Sequence, residues 1–150
     1  MKIKIKKNIF FDQRRKPLLI AEISSNHSGN KKSFVNHILK AKQAGADLIK
    51  IQTYEPGDIT IKSSDEKFRI KEGIWRGKRL WDLYSQAHTP YSWHKDAFNL
   101  AKKLNVILFS TPFSIKALNF LEKFNPPLYK IASFEITDLK LIHEVAKTRK

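Results

Sequence analysis

The sequence contains no cysteine, which excludes disulfide bridges and thiolate metal sites. It also has no stretch near the roughly 18 apolar residues that a membrane-spanning helix needs. The basic first residues lack the apolar run and the small-residue cleavage site of a signal peptide. These absences fit a cytoplasmic protein in a reducing compartment, with no membrane partner.

Acidic residues are scarce. Asp and Glu total 14 against 29 Lys and Arg, so the formal net charge is +15. A field of this sign attracts nucleic acid, acidic lipid and phosphorylated small molecules alike. A solvated, lysine-rich surface without any particular partner explains the same composition. The charge therefore favours anions without selecting one of them.

The length of 150 residues suffices for one hydrophobic core. It falls short of the about 250 residues that a complete (β/α)8 barrel takes. Any barrel that this chain builds is therefore expected to be partial.

Short apolar runs alternate with amphipathic segments along the chain. The apolar runs, which predict buried strands, cover residues 18–24, 48–53, 106–110 and 128–132. The helical apolar spacing covers residues 33–44, 91–104, 114–124 and 137–147. Strands that alternate with helices predict a parallel α/β sheet with right-handed crossovers. The pattern amounts to four βα units.

Two segments lie outside this alternation. Residues 1–16 alternate apolar and basic side chains at their start and predict a short β-hairpin that covers one end of the sheet. Residues 54–90 are too long for an ordinary connection. Their interleaved aromatic and basic residues suggest binding to single-stranded nucleic acid, or simple packing of the segment on the sheet. We favour packing, because no RNA-binding signature is present.

Two lysines in different predicted strands are the most informative residues. Lys50 lies between Ile49 and Ile51, and Lys130 follows Tyr129 within its own apolar run. A lysine within a buried sheet is costly unless an anion pairs with it. Because ligands of parallel α/β folds gather at the carboxyl ends of strands, the pair predicts a phosphate or carboxylate ligand there.

Further polar side chains stand at the same strand ends: Glu22, Ser24, Gln52, Thr111, Ser133 and Glu135. The hydroxyls of Thr111 and Ser133 are suited to the same anion. The carboxylates of Glu22 and Glu135 can accept hydrogen bonds from a sugar or move a proton. An internal Lys–Glu pair without any ligand is the alternative interpretation.

The histidines predict no metal site. His27, in the loop SSNHSGN, is a candidate for either substrate binding or organising its turn. His37, His94 and His143 fall on predicted helices and are expected at the surface. No two histidines have the spacing of a zinc motif such as HExxH.

Four successive motifs, IAEISSNHSGN, AGADLIKIQTY, FSTPF and YKIASFE, resemble the strand motifs of the sialic acid synthase family. The segment WRGKRLWDLYSQAHTPYSWHKDAF is similar to the pseudaminic acid synthase branch more than to the N-acetylneuraminate branch. The resemblance extends from about residue 17 to nearly the end of the chain. It implies a TIM-type (β/α)8 barrel, of which residues 17–150 would supply the first half after the hairpin of residues 1–16.

The resemblance also implies an activity. Family members are transferases that condense phosphoenolpyruvate with an acetamido sugar into a nine-carbon 2-keto acid and release phosphate. In the pseudaminic branch the sugar is a 2,4-diacetamido-2,4,6-trideoxy hexose. A divalent metal, Mn²⁺ or Mg²⁺, is implied as cofactor, with ligands that are not in this chain.

Residue by residue, the resemblance assigns two catalytic positions. Glu22 would bind the sugar acceptor, and Glu135 would lie beside the reacting carbons. The remaining matched positions would bind substrate: Ser24, His27, Lys50, Gln52, Thr111, Lys130 and Ser133.

The sequence departs from the family pattern at its end, where Arg149 stands in place of an expected glycine. The later strands, a metal-binding histidine pair and a C-terminal antifreeze-like domain have no counterpart here. We therefore expect the chain to be inactive alone and to need a second copy or a complementary half-chain.

Two other functions remain open. A non-catalytic basic module on a degenerate barrel would bind anions or nucleic acid in a salt-sensitive way. A Schiff-base aldolase would use Lys130 as its nucleophile. The ordered motifs favour the synthase over both, and nucleic acid is the less expected partner.

Overall fold

The computed structural model describes residues 2–6 and 9–150. Its strands are β1 (Lys2–Lys6), β2 (Ile9–Asp12), β3 (Ile20–Glu22), β4 (Leu48–Thr53) and β5 (Ile107–Pro112). Its helices are α1 (Lys31–Gln43), α2 (Pro56–Ile59), α3 (Leu80–Ala87), α4 (Tyr91–Lys103), α5 (Ile115–Glu122) and α6 (Leu139–Lys147). Two 3₁₀ turns lie at Glu66–Phe68 and Phe134–Thr137.

A three-stranded parallel sheet, in the order β3-β4-β5, forms the centre of the chain. This confirms the prediction of an α/β fold with a parallel sheet. The register places Glu22 opposite Lys50 and Gln52 opposite Thr111. The polar residues that end the strands therefore meet at one edge of the sheet.

The two faces of β4 have different partners. Ile49 and Ile51 pack with Phe34 and Ile38 of α1 and with the small residues of α4. On the opposite face, Leu48 packs in a smaller cluster with Ile107 and Phe109. Side chains alternate along a strand, so Lys50 and Gln52 continue the second face toward the carboxyl end.

An antiparallel hairpin of β1 and β2 contributes to this second face. Ile5 and Ile9 of the hairpin pack against the cluster of Leu48, Ile107 and Phe109. The hairpin thus covers the apolar part of the face.

The predicted fourth strand, residues 128–132, is wrong. A single parallel bridge joins Ser110 to Tyr129, and the amide of Lys130 donates to the carbonyl of Ser110 over 3.3 Å. Among the described residues no strand pairs with the outer edge of this segment, so one side alone holds it. The chain then enters the 3₁₀ turn at Phe134–Thr137. The first strand is also shorter than predicted, because Ser24 adopts a left-handed φ of 48°.

The long segment 54–90 is folded rather than a simple connection, since it contains α2, a 3₁₀ turn and α3. The Arg69 guanidinium bonds to Glu66 and, over 2.9 Å, to the carbonyl of Gly77. Arg79 donates to the carbonyl of Ser63 over 3.2 Å. Within residues 2–6 and 9–150, none of the helices combines the length and the hydropathy that crossing a bilayer requires.

His94 is buried, with no exposed surface, which corrects the prediction that it lies at the surface. Its Nδ1 donates to the carbonyl of Pro90 over 3.1 Å. Its Nε2 therefore accepts from the Thr53 hydroxyl at 2.8 Å, and Thr53 lies 2.6 Å from the Ser110 hydroxyl. This chain of hydrogen bonds joins α4 to the ends of β4 and β5, and its closed set of partners explains how the imidazole is tolerated in the core.

Burial lowers the pKa of His94 to about 4, whereas an unfolded histidine titrates near 6.5. Above pH 6.5 the ring is neutral in both states and contributes no pH dependence. Between pH 6.5 and 4 only the unfolded chain takes up the proton. The free energy of unfolding should therefore fall by about 1.4 kcal/mol per pH unit across this window on account of His94.

We predict that His94→Gln removes one proton from the pH dependence of unfolding between pH 6.5 and 4. Urea titrations at half-unit pH intervals measure this slope. His143→Gln is the matched control, because His143 is exposed on α6, and it should leave the slope unchanged. An unchanged slope in His94→Gln would contradict a neutral, buried His94.

Candidate active site

The centre of the site is an ion pair at the carboxyl end of the sheet. Lys50 is only 4% exposed, and its Nζ lies 2.5 Å from Oε1 of Glu22. The Ser24 hydroxyl donates to the same oxygen over 3.2 Å. Among the described residues, Glu22 is the acceptor that Lys50 reaches, so its ammonium group keeps further donors for an anion.

The Lys50 hydrogen bond is the largest reason why the pKa of Glu22 lies below its ordinary value, and it outweighs the opposing effect of burial. The charges of Lys50 and Lys130 act in the same direction. Glu22 is therefore ionised at neutral pH, and it balances the charge of Lys50.

Lys130 is exposed, which corrects the prediction that it is buried within a strand. The apolar neighbours of Lys130 suggested an internal strand, but the single bridge at Tyr129 does not cover the lysine side chain. Its charge still lowers the pKa of Glu22. Lys130 thus contributes positive charge to the same end of the sheet from an open position.

Thr111 and Gln52 are partners in the ladder of β4 and β5. Thr111 is 1% exposed, and its hydroxyl has no hydrogen-bond partner among the described residues. A buried hydroxyl without a partner costs about 1–3 kcal/mol. Thr111 lies beside Gln52, on the sheet face that carries Lys50. Its unpaired hydroxyl indicates a position for a polar ligand.

An open cleft of about 370 Å³ lies at the same end of the fold. Its polar lining comes from Ser25, Gln52, Lys130 and Ser133. Its aromatic lining comes from Tyr54, Trp75, Tyr84, Phe113 and Phe134. The cleft therefore combines one charge, several neutral hydrogen-bonding groups and a large aromatic surface, a composition common in small-molecule sites.

Sequence reasoning missed most of this aromatic lining. Tyr54 and Phe113 directly follow the ends of β4 and β5, and that position is the signal that was available. Tyr54 is buried and makes edge contacts with Tyr84 at 6.1 Å and Phe113 at 5.2 Å. Burial raises the pKa of the Tyr54 hydroxyl, which shares a hydrogen bond with Ser25.

His27 does not line the cleft and is fully buried. The amide of Gly29 donates to its Nδ1 over 3.1 Å, which places the ring proton on Nε2, 3.3 Å from the Thr89 hydroxyl. Burial lowers the pKa of His27, so the ring is neutral. These are the contacts of a residue that organises its turn, and a substrate contact by His27 stays a prediction.

Glu135 is in the 3₁₀ turn Phe134–Thr137 and does not line the cleft. Its Oε2 is buried without a partner among the described residues. Burial, followed by the charge of Asp138, raises the pKa of Glu135 above its ordinary value. Glu135 therefore holds a proton more readily than Glu22 does.

The carboxylates and imidazoles of the described residues form no metal site. Within the part of the chain that the structure describes, no three His, Cys, Asp or Glu side chains converge to hold a metal ion. These residues do not fit the divalent metal that the resemblance implies.

Comparison with known proteins gives close sequence relatives. Pseudaminic acid synthases from Campylobacter jejuni (strain 81-176) and Helicobacter pylori are each 44% identical to this chain, over 140 and 134 residues. The matches cover 93% and 89% of this chain but 41% and 39% of those proteins. The chain thus spans about two fifths of the length of these relatives.

Solved structures show the same fold. An N-acetylneuraminic acid synthetase from Leptospira borgpetersenii superposes with a TM-score of 0.81 at 24% identity, over 98% of this chain and 46% of that one. The spore coat polysaccharide biosynthesis protein SpsE of Bacillus subtilis gives 0.70 at 25% identity, over 99% and 38%.

Residues 37–150 of this chain match the model of the NeuB family. This match covers well over half of the chain and includes Lys50, Gln52, Thr111, Lys130 and Ser133. The chain belongs to the NeuB family.

Proposed function

We propose that this chain takes part in condensing phosphoenolpyruvate with an acetamido sugar into a nine-carbon 2-keto acid, with release of phosphate. The observation that carries the proposal is the buried Lys50, paired with Glu22 and followed on the same face by Gln52 and the unpaired hydroxyl of Thr111. In the same proposal, the chain supplies the first part of a (β/α)8 barrel, in which the described residues form three parallel strands.

Phosphoenolpyruvate carries a carboxylate and a phosphate, so its site needs positive charge at more than one point. Lys50 and Lys130 both act on Glu22, which supports a shared location. Thr111 offers an unsatisfied hydroxyl, and Ser133 offers a second one at the cleft. Together these groups support a site for a small molecule with two anionic groups rather than for an extended polymer.

The relatives guide the choice of sugar. At 44% identity to pseudaminic acid synthases, a 2,4-diacetamido-2,4,6-trideoxy hexose is the acceptor that we propose. The ionised Glu22 is suited to accept hydrogen bonds from its hydroxyl or amide groups. Gln52, which lines the cleft, is suited to bind either.

In the proposed reaction, carbon 3 of phosphoenolpyruvate forms a bond to the aldehyde carbon of the open-chain sugar. The aldehyde oxygen takes a proton, water adds its oxygen to carbon 2 with loss of a proton, and the bond from carbon 2 to the phosphate oxygen then breaks. Glu135, whose pKa is raised, is suited to donate the proton. Glu135 belongs to the same 3₁₀ turn as Phe134, and Phe134 lines the cleft.

We predict that Lys50→Met abolishes phosphoenolpyruvate binding by this chain, because Met keeps the length of the side chain but not its charge. Calorimetry at low salt measures the dissociation constant. Lys95→Met is the matched control, since Lys95 is exposed on α4 and its loss changes the net charge equally. Lys95→Met should bind like the parent chain.

Equal binding by parent and Lys50→Met would contradict the proposed anion site. So would a folded parent chain that binds single-stranded oligonucleotides in a salt-dependent manner and has no affinity for phosphoenolpyruvate. That second result would favour the basic binding module instead.

We predict opposite effects on stability and on binding for Thr111→Val. The unpaired hydroxyl contributes nothing to the fold, so the free energy of unfolding should be unchanged or higher. Affinity for phosphoenolpyruvate should fall about 10-fold or more, because a hydrogen bond to a charged ligand is lost.

Thr89→Val serves as control, because Thr89 is equally buried but its hydroxyl is paired with His27. It should lose stability and keep its phosphoenolpyruvate affinity. Denaturant titration and calorimetry on the two variants separate these outcomes. A Thr111→Val chain that is less stable yet binds normally would show that the hydroxyl serves the fold and not the ligand.

A further inference from the structure

The cleft draws its lining from two parts of the chain with different chemistry. Residues outside segment 54–90 contribute its polar groups Ser25, Gln52, Lys130 and Ser133, together with the apolar Phe113, Ala132 and Phe134. The long segment 54–90 contributes only apolar and aromatic side chains: Tyr54, Ile59, Trp75, Leu83, Tyr84 and Ala87. We call this second set the apolar wall.

The apolar wall is selected from a segment that is otherwise densely charged. The segment contains Lys67, Arg69, Lys71, Arg76 and Arg79, yet none of its charged residues lines this cleft. The segment therefore turns its charges away from the cleft and presents apolar surface to it. A side chain of this segment that stays partly open to solvent does not need to be apolar for packing.

Trp75 is such a side chain. It is 49% exposed, unlike Tyr54, which is buried and fixed by its neighbours. An indole ring left half open beside a cleft has a large apolar surface available to a ligand.

A small hairpin of residues 69–79 holds Trp75 in place. The amide of Ile70 donates to the carbonyl of Lys78 over 2.9 Å, and the amide of Gly77 donates to the carbonyl of Ile70 over 2.8 Å. Gly73 and Gly77 take left-handed φ values of 78° and 85°, which favour glycine. The Arg69 guanidinium bonds to the carbonyl of Gly77 and to Glu66. The backbone that positions the indole is thus held by several hydrogen bonds.

We propose that the apolar wall, with Trp75 as its exposed member, selects acceptor sugars that carry a C6 methyl and a C4 acetamido group where common hexosamines carry a hydroxymethyl group and a hydroxyl. The inference rests on the proposed function and adds to it the residues that discriminate between sugars. A 2,4-diacetamido-2,4,6-trideoxy hexose presents a C6 methyl and two acetamido methyl groups, while its remaining oxygens face the polar groups of the strand ends. A 2-acetamido-2-deoxy hexose brings a hydroxymethyl group and a 4-hydroxyl to the same wall. Against the ring faces and aliphatic side chains of the wall, those hydroxyls would lose water at a cost in binding free energy.

The test is a calorimetric comparison of the two sugars on this chain, in the presence of phosphoenolpyruvate. The parent should bind the diacetamido trideoxy sugar at least about 10-fold more tightly, the range that a methyl group in an apolar pocket provides. Trp75→Ala should reduce this ratio to about 3-fold or less, and Trp75→Phe should retain most of it. Phosphoenolpyruvate affinity should be the same in all three chains, which also shows that each is folded.

Ile74→Ala is the matched control. Ile74 neighbours Trp75 in the same hairpin but is 88% exposed and does not line the cleft, so its loss should leave the ratio unchanged. Equal affinity of the parent for both sugars, or an unchanged ratio in Trp75→Ala, would overturn the inference. Phosphoenolpyruvate binding without any sugar binding would overturn it too and leave the anion site standing. A parent chain that binds no phosphoenolpyruvate would overturn the proposed function itself, and the inference with it.

Discussion

The burial of one charge constrains the rest of this structure. An ammonium group as buried as that of Lys50 is stable only beside a counter-charge, and the register of β3 against β4 brings Glu22 to it. The same register aligns the polar ends of the strands at one edge of the sheet. The carboxylate of Glu22 is still partly open to solvent, so the pair is closed on the protein side and accessible on the other. The Lys50 ammonium keeps donors that Glu22 does not use, and the anion site that we propose depends on them.

Stability and binding are divided between the two faces of β4. Ile49, Ile51 and Thr53 face the helices, where apolar packing and the hydrogen bonds from Ser110 to His94 fix the strand. Lys50 and Gln52 face the other way, where Lys50 pairs with Glu22 and Gln52 lines the cleft. The helix-facing residues hold the backbone rigid, and the polar side chains can then remain incompletely paired, as the Thr111 hydroxyl is. This is the arrangement expected where a ligand completes the hydrogen bonding.

Much of the fold and part of the site could be predicted from the sequence. Apolar runs located β4 and β5, and a lysine between two isoleucines identified Lys50. The same reasoning failed for Lys130 and His94, because periodicity tells which face a side chain takes and not what covers that face. Lys130 is exposed since its segment forms a single bridge, and His94 is buried since Thr53 and Pro90 satisfy both ring nitrogens. The aromatic lining of the cleft depends on how residues 54–90 fold back, which no local pattern encodes.

A crystal structure of this chain with phosphoenolpyruvate would test the central claim most directly, since it locates the anion. The account predicts an oxygen of the ligand within about 3 Å of the Lys50 Nζ and of the Thr111 hydroxyl, with Glu22 still bonded to Lys50. A ligand that binds at another surface and contacts neither Lys50 nor Thr111 would contradict the account.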